Sequence, residues 1–105
     1  MQLSTTSGVT IKVTPKNLQG SIWEFTVVLD THSQELNDDL VKNVTLVKFD
    51  GSQIAPIAWQ GDPPSGHHRK GALRFDAIVP LSSTLEMRVA RTGERNPRSL
   101  RWPLK

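Results

Sequence analysis

Three histidines in predicted loops are the residues of this sequence best suited to bind a metal ion. His32 follows a strong strand pattern, and His67 and His68 lie in a segment rich in glycine and proline. Asp30 precedes His32 by two residues. Imidazole nitrogens combined with a carboxylate oxygen form a ligand set that suits Zn²⁺ or Cu²⁺. A shared zinc or copper site requires that the two histidine-bearing loops meet at one end of the fold.

The spacing of the histidines favours structural roles over metal binding. The sequence lacks the i,i+4 and His-x-His spacings of strong metal motifs, and adjacent residues of an extended segment, such as His67 and His68, point apart. In this alternative, His32 hydrogen-bonds the backbone of a helical turn and His67 orients its loop. The chain has no cysteine, which excludes blue-copper centres, cysteine-based zinc sites, disulfides and thiol nucleophiles.

A compact basic segment is the second candidate site. His67-His68-Arg69-Lys70 lies between two glycines, and the backbone N–H groups of such a loop, together with an arginine, can bind phosphate, sulfate or carboxylate. The segment lacks the spacing of a nucleotide-binding P-loop. The residues we predict to bind anions are Arg69, Lys70, Arg88 and Arg101. The last two fall on the predicted solvent face of the final hairpin.

Charge is distributed unevenly along the chain. Residues 1–66 carry a net charge of −3, whereas residues 67–105 carry +6 and contain all seven arginines. This asymmetry favours weak polyanion binding as one alternative. The other interpretation is a solvated face whose arginine stems cover apolar surface. Specific nucleic-acid binding is not expected, because most aromatic residues fit core positions and tyrosine is absent.

Trp59 is the aromatic residue least clearly assigned to the core. It precedes Gln60-Gly61 at the edge of a predicted loop. Its ring can stack on a sugar or a peptide ligand, or it can cap the end of the fold.

The sequence contains no arrangement typical of an enzyme. Neither a G-x-S-x-G elbow nor an H-E-x-x-H motif occurs. The close neighbours Asp30, His32 and Ser33 do not suggest a catalytic triad, because triads are seldom built from sequence neighbours. We therefore expect no catalytic residues and a protein that is not an enzyme.

The elements that must position these residues are predicted mainly from period-two alternation of apolar and polar residues. Val9–Val13, Trp23–Leu29, the segment from Val44, Leu73–Ala77, Leu85–Val89 and Leu100–Leu104 all alternate in this way. A helical turn is predicted near residues 33–42, with Thr31 or Ser33 as its N-cap and Leu36 and Leu40 facing the core.

Turn signals separate these strands. Asp50-Gly51 predicts a hairpin with Gln53–Trp59 as its second strand, which Pro56 restricts to an edge or a bulge. Gln60–Gly71 is predicted to be a loop, and Pro80 and Thr92-Gly93 mark turns. Together the pattern favours one domain over residues 1–105, an all-β, immunoglobulin-like antiparallel β-sandwich of about seven strands. A five-stranded barrel is the alternative.

Three segments resemble a family of small bacterial β-sandwich domains of the immunoglobulin-like or fibronectin III-like type, a family without an established activity. They are Leu29-Asp30-Thr31-His32-Ser33 with Asp39-Leu40, Trp59-Gln60-Gly61 through Gly66-His67-His68-Arg69-Lys70-Gly71 with Leu73 and Phe75, and Arg98 to Trp102. The resemblance spans most of the chain. It implies the sandwich fold, singles out the two histidine-bearing loops and implies no reaction.

These observations favour a non-catalytic interaction or structural module with a protein partner. We expect it to use an exposed strand edge, such as the one that bears Pro56. A monomer is the default expectation. No apolar run approaches the roughly 18 residues of a membrane span. If Met1 is the natural start, we expect a cytoplasmic protein; if the sequence is an excised domain, we expect the periplasm or cell envelope.

Overall fold

The structure is a computed structural model, and it describes residues 1–48, 50–78, 83–91 and 94–103. The predicted turns at Pro80 and Thr92-Gly93, and the end of the last predicted strand at Leu104, lie outside these residues. The elements in chain order are β1 Gln2–Thr6, β2 Val9–Asn17, β3 Ile22–Thr31, α1 Leu40–Asn43, β4 Val44–Val47, β5 Gln53–Ile54, β6 Ala58–Gly61, β7 His68–Asp76, β8 Thr84–Val89 and β9 Arg98–Pro103.

The chain is all-β and forms two antiparallel sheets, an arrangement compatible with a β-sandwich. The five-stranded sheet has the order β1-β2-β3-β7-β6, and the four-stranded sheet has the order β5-β4-β8-β9. Both sheets contribute to one hydrophobic core. At its centre, Phe25 lies edge-on to Phe75 with ring centroids 5.7 Å apart, and 5.8 Å from the Trp102 ring. Burial of these apolar surfaces is the main force that joins the two sheets.

The predicted alternations are confirmed for the long strands. Val9, Ile11 and Val13 of β2 are buried, and the residues of β3 alternate between the core and solvent. The same period places Arg69 and Arg98 on the core faces of β7 and β9. Arg69 lies an even number of residues from the buried Leu73, and Arg98 lies an even number from the buried Leu100. This placement governs the candidate site described below.

The first strand was not predicted. Together with the division of Gln53–Trp59 into β5 and β6, it raises the number of strands among the described residues from the predicted seven or so to nine. None of the five residues of β1, all of which the structure describes, is buried. The strand is held by backbone pairing with β2, from Gln2 opposite Val13 to Thr6 opposite Val9. A strand without a buried face carries no apolar alternation, which is the signal on which the prediction relied.

The predicted single strand over Gln53–Trp59 is wrong, because the chain changes sheets at Pro56. After the turn at Gly51, β5 forms the expected hairpin with β4. Pro56 is buried, and β6 then pairs with β7 in the other sheet. Proline has no N–H to donate to a ladder, so pairing with β4 ends before it.

Two boundaries near the histidines also differ from the prediction. The helical segment is one turn, Leu40–Asn43, and its N-cap is Asp39, whose Oδ1 accepts from Val41 N. Thr31 instead ends β3, and its hydroxyl donates to the carbonyl of Gly8 at 2.9 Å. The predicted loop over Gln60–Gly71 is shorter, because β6 extends to Gly61 and β7 begins at His68.

Candidate functional site

One end of the two-sheet fold holds two of the predicted metal ligands, His32 and His67, and Asp30 and His68 lie in the strands that border it. It is formed by residues 32–39 between β3 and β4, residues 62–67 between β6 and β7, and the described part of the β8–β9 connection, residues 90–91 and 94–97. We call this surface the loop end. Leu36 N donates to Gly66 O at 2.8 Å and joins its first two segments, and Thr31 N, at the end of β3, donates to His67 O at 2.9 Å.

A buried ion network lies under the loop end. Arg91 donates to both carboxylate oxygens of Asp38, at 2.9 and 3.1 Å, and to Glu94 at 3.2 Å. The side chains of all three are only 5–6% exposed. Because the two-point geometry satisfies both partners, each charge is compensated where water is excluded. The network thereby links the β3–β4 segment to the β8–β9 segment.

Arg98 extends this network into the first strand. Its Nε and Nη2 donate to the two carboxylate oxygens of Glu94, at 2.9 and 2.6 Å. Its Nη groups also donate to three backbone carbonyls, those of Ser4, Thr6 and Val9, at 2.9–3.0 Å. Hydrogen bonds from Arg98 are the largest cause that lowers the pKa of Glu94. Glu94 therefore stays ionised between two arginines, as a carboxylate with charged donors does.

Arg69 is the principal correction among the predicted anion-binding residues. It is 1% exposed, and its Nη groups donate to the carbonyls of Asp38 at 2.8 Å and, at 3.4–3.5 Å, of Leu36 and Asp62. Burial lowers the pKa of this guanidinium. In the part of the chain that the structure describes, its Nε has no hydrogen-bond partner. Arg69 is therefore an internal support of the loop end and not a surface cation.

The Trp59 ring is partly buried and packs against the hydrophobic core. Its Nε1 donates to the carbonyl of Asp62 at 2.9 Å, and the Arg69 guanidinium carbon lies 5.5 Å from its ring centroid. The ring also covers the opposed pair Gly61 and Gly71, where an added Cβ would come within 2.9 and 2.7 Å of ring atoms. Only glycine at both positions permits this approach, so the tryptophan and the glycines form one packing unit.

The predicted metal ligands are only partly brought together. His68 begins β7 directly opposite Asp30 of β3, and its Nδ1 donates to Asp30 Oδ1. His32 and His67 are exposed in adjoining segments of the loop end. Among residues 1–48, 50–78, 83–91 and 94–103, no three His, Asp or Glu side chains form a group that could hold a metal ion.

The remaining predicted anion-binding residues lie on two different sheets. Lys70 is exposed on β7. Arg88 and Arg101 lie on the solvent face of the four-stranded sheet, as predicted, and both contact Glu86, at 2.8 and 3.5 Å. Hydrogen bonding to Arg88 is the largest cause that lowers the pKa of Glu86. The structure therefore does not gather Arg69, Lys70, Arg88 and Arg101 into one site.

The surface above the network is polar. A recess of about 540 Å³ is lined by Gln34, Glu35, Asn37, Asp38, Asp39, Lys42, Asn43 and Arg91. A smaller groove of about 300 Å³ lies beside it, where Asp38, Asp39, Leu40, Val41, Trp59, Pro64 and Arg69 line the wall. The larger recess lacks the apolar lining typical of small-molecule pockets.

Sequence patterns do not indicate the network residues Asp38, Arg91, Glu94 and Arg98 as a group. One signal was available for Arg98, because it continues the alternation of Leu100 and Trp102 and so belongs to the core face. An arginine at such a position indicates a buried partner, since charged residues are rarely fully buried alone. No comparable pattern marks Asp38, which lies outside any strand or helix.

Comparison with known proteins gives no match, either to a family model or to a curated protein or a solved structure. No helix among the described residues is long and apolar enough to span a membrane.

Proposed function

We propose that this chain is a non-catalytic interaction module of the immunoglobulin-like β-sandwich class, which binds a protein partner through the loop end. The observation that carries the proposal is the buried network of Asp38, Arg91, Glu94 and Arg98. It joins segments that are distant in sequence into one rigid support. A preorganised surface lowers the entropy lost on binding, which is the advantage of placing recognition loops on a fixed scaffold.

The order of the strands supports the immunoglobulin-like part of the proposal. In that fold, strands A, B, E and D form one sheet, and C, F and G form the other. The order β2-β3-β7-β6 corresponds to A-B-E-D, and β4-β8-β9 corresponds to C-F-G. By this correspondence, the β3–β4 and β8–β9 connections are the B–C and F–G loops, which carry the recognition surface of variable domains. The correspondence is an analogy of fold, and the partner must follow from this chain's own surface.

The chemistry of the loop end favours a macromolecular partner over a small ligand or a substrate. The acidic and basic groups of the network neutralise one another and are buried. The recess above them is lined by polar side chains of both charges, whereas small-molecule sites are predominantly apolar. A polar, mixed-charge rim around a fixed surface is typical of transient protein interfaces.

The two edge strands on either side of Pro56, the contact surface expected from the sequence, offer little main chain for pairing. β5 contains two residues and β6 contains four. Each lies at the edge of a different sheet, so they do not form one continuous edge. Strand addition needs a longer row of exposed backbone groups to give affinity.

A metal-binding module is the second candidate, and the contact between His68 and Asp30 favours it. Two ligands are fewer than the three or four that a protein zinc site supplies. His32 or His67 would have to move to complete the set. A polyanion-binding module has less support, because Arg69, Arg91 and Arg98 are buried.

Site-specific photo-crosslinking tests the proposal. A photoreactive amino acid replaces Asn37 at the loop end and, as a control, Gln19 at the opposite end; both positions are exposed. We expect a discrete protein adduct from position 37 that excess unlabelled chain suppresses, and none from position 19. The protein captured in the adduct, purified separately, must then bind the unmodified chain saturably. Equal adducts from both positions, or no saturable partner, would contradict the proposal.

A further inference from the structure

The first strand is attached to the rest of the molecule without a hydrophobic anchor. None of the residues of β1, which the structure describes completely, is buried, and Leu3 is 50% exposed. The strand is held by pairing with β2 and by the two hydrogen bonds from Arg98 to Ser4 O and Thr6 O. β1 therefore contributes no buried side chain to the hydrophobic core.

The surface that β1 occupies recognises a backbone. Arg98 is buried and donates to two alternate carbonyls of β1, those of Ser4 and Thr6. The adjoining edge of β2 supplies the backbone pairing along the strand. Without β1, Arg98 keeps only Glu94 and the carbonyl of Val9 as acceptors. A buried arginine that loses acceptors is costly, so this edge requires a strand in place.

The turn that joins β1 to β2 holds backbone strain. Ser7 has φ of 52° and Gly8 has φ of 78°, and Ser7 is a residue type that rarely adopts the left-handed region. Gln34 donates to Ser7 O, and Thr31 donates to Gly8 O. A short hinge under strain favours exchange of the element that it connects, because an extended hinge releases the strain.

We propose that the β2 edge and Arg98 form a strand-acceptor site that also takes β1 from a second copy of this chain, giving a strand-exchanged dimer. A second copy is the occupant that fits best, because its β1 would repeat every contact of the closed chain. One of these contacts depends on the side chains: the hydroxyls of Thr5 and Thr10 are 2.9 Å apart across the pair. Exchange requires that residues 7 and 8 become extended, which gives up the closed-turn hydrogen bonds from Gln34 and Thr31.

Cysteine cross-linking tests the proposal directly, because the chain has no cysteine of its own. Thr5→Cys is placed in one chain and Thr10→Cys in a larger, tagged chain; these positions are directly opposed in the β1–β2 register. The two are unfolded together, refolded at high concentration and oxidised. A disulfide between unlike chains forms efficiently only when β1 of one lies on β2 of the other. Thr14→Cys, an exposed position four residues further along β2, replaces Thr10→Cys in the control.

Two substitutions in the β1–β2 turn should change the yield of the disulfide between unlike chains in opposite directions. Gly8→Pro excludes φ of 78° and disfavours the left-handed conformation at Ser7, so it should increase the unlike-chain product. Ser7→Gly adopts the turn without strain and should decrease it.

We expect more disulfide between unlike chains from Thr5→Cys with Thr10→Cys than from Thr5→Cys with the Thr14→Cys control. Its yield should be highest with Gly8→Pro, intermediate with the native turn and lowest with Ser7→Gly. Cross-linking no greater than the control with the native hinge would overturn the proposal. If Gly8→Pro does not fold, as judged by circular dichroism, the test compares the disulfide yield of the native turn with that of Ser7→Gly. Equal product from these two would also overturn it.

Discussion

Arg91 and Asp38 form a two-point ion pair across 53 residues of sequence, with both bonds at 2.9–3.1 Å and both side chains buried. The pair fixes the long connection after β3 to the connection after β8. Glu94 and Arg98 continue the contact into β9 and β1. The loop end is thus organised by charges that face inward, and the exposed residues above it are held in place by them.

Asp38→Asn should destabilise the protein strongly. The substitution leaves Glu94 as the charged partner of Arg91, and removal of one partner of a buried pair costs up to about 3–5 kcal/mol. The free energy of unfolding from urea titration measures this loss. Asp76→Asn, at an exposed position of β7, is the control and should change the free energy by about 0.5 kcal/mol or less. Equal effects of the two substitutions would refute a structural role for the ion pair.

Glu94 should make stability depend on acid pH. Hydrogen bonds from Arg98 lower its pKa in the folded state, so ionised Glu94 contributes stability above its unfolded pKa. This contribution is lost as the pH falls from about 4.3, the ordinary glutamate pKa, through the lower folded value. Glu94→Gln should lower stability at neutral pH and flatten this acid limb, measured by urea unfolding across pH. Glu35→Gln, at an exposed position, should retain the wild-type limb; a Glu94→Gln limb as steep as wild type would contradict the assignment.

Gly71→Ala should destabilise the packing unit under Trp59. The added Cβ would lie 2.6 Å from Gln60 O and Gly61 Cα and 2.7 Å from the indole ring. Overpacking of this kind costs about 1–3 kcal/mol. Ala72→Ser, at the next position of the same strand, is the matched control. Thermal unfolding should separate the two variants, and an unchanged melting temperature for Gly71→Ala would show that the ring does not pack on this pair.

Zn²⁺ should not bind the three histidines as one site. We expect NMR titration of chelator-treated protein to shift His68 alone and weakly, because Asp30 contacts it and no third ligand joins the pair among the described residues. Asp30→Asn should reduce that shift. Coincident, saturable shifts at His32 and at His67 or His68, with micromolar affinity, would instead establish the metal-binding alternative.

The sequence predicted the parts of this fold that depend on local periodicity. The alternation of Trp23 to Leu29 predicted β3, the strand that lies at the centre of the larger sheet. Asp50-Gly51 predicted the hairpin of β4 and β5. It did not predict β1, whose pairing depends on β2 and Arg98, since a strand held by backbone contacts has no pattern of its own.

The candidate site was predicted only in its position. The sequence placed His32 and His67 in loops that do meet, but it took Arg69 for a surface residue. Gly71 interrupts the apolar alternation that leads from Phe75 and Leu73 to Arg69, which hid the core-facing period. The pairing of Asp38 with Arg91 depends on the packing of distant segments, and no local pattern carries that information.

The most direct test uses the partner protein that cross-linking identifies, purified in its free form. Isothermal titration calorimetry measures its affinity for the wild-type chain, Glu35→Arg and Gln19→Arg. Glu35→Arg alters the exposed rim of the loop end, and Gln19→Arg makes a comparable change at the opposite end. We predict that Glu35→Arg raises the Kd at least about tenfold, or 1.4 kcal/mol, and that Gln19→Arg leaves it unchanged. Equal affinities for wild type and Glu35→Arg, or a loss with Gln19→Arg, would contradict binding through the loop end.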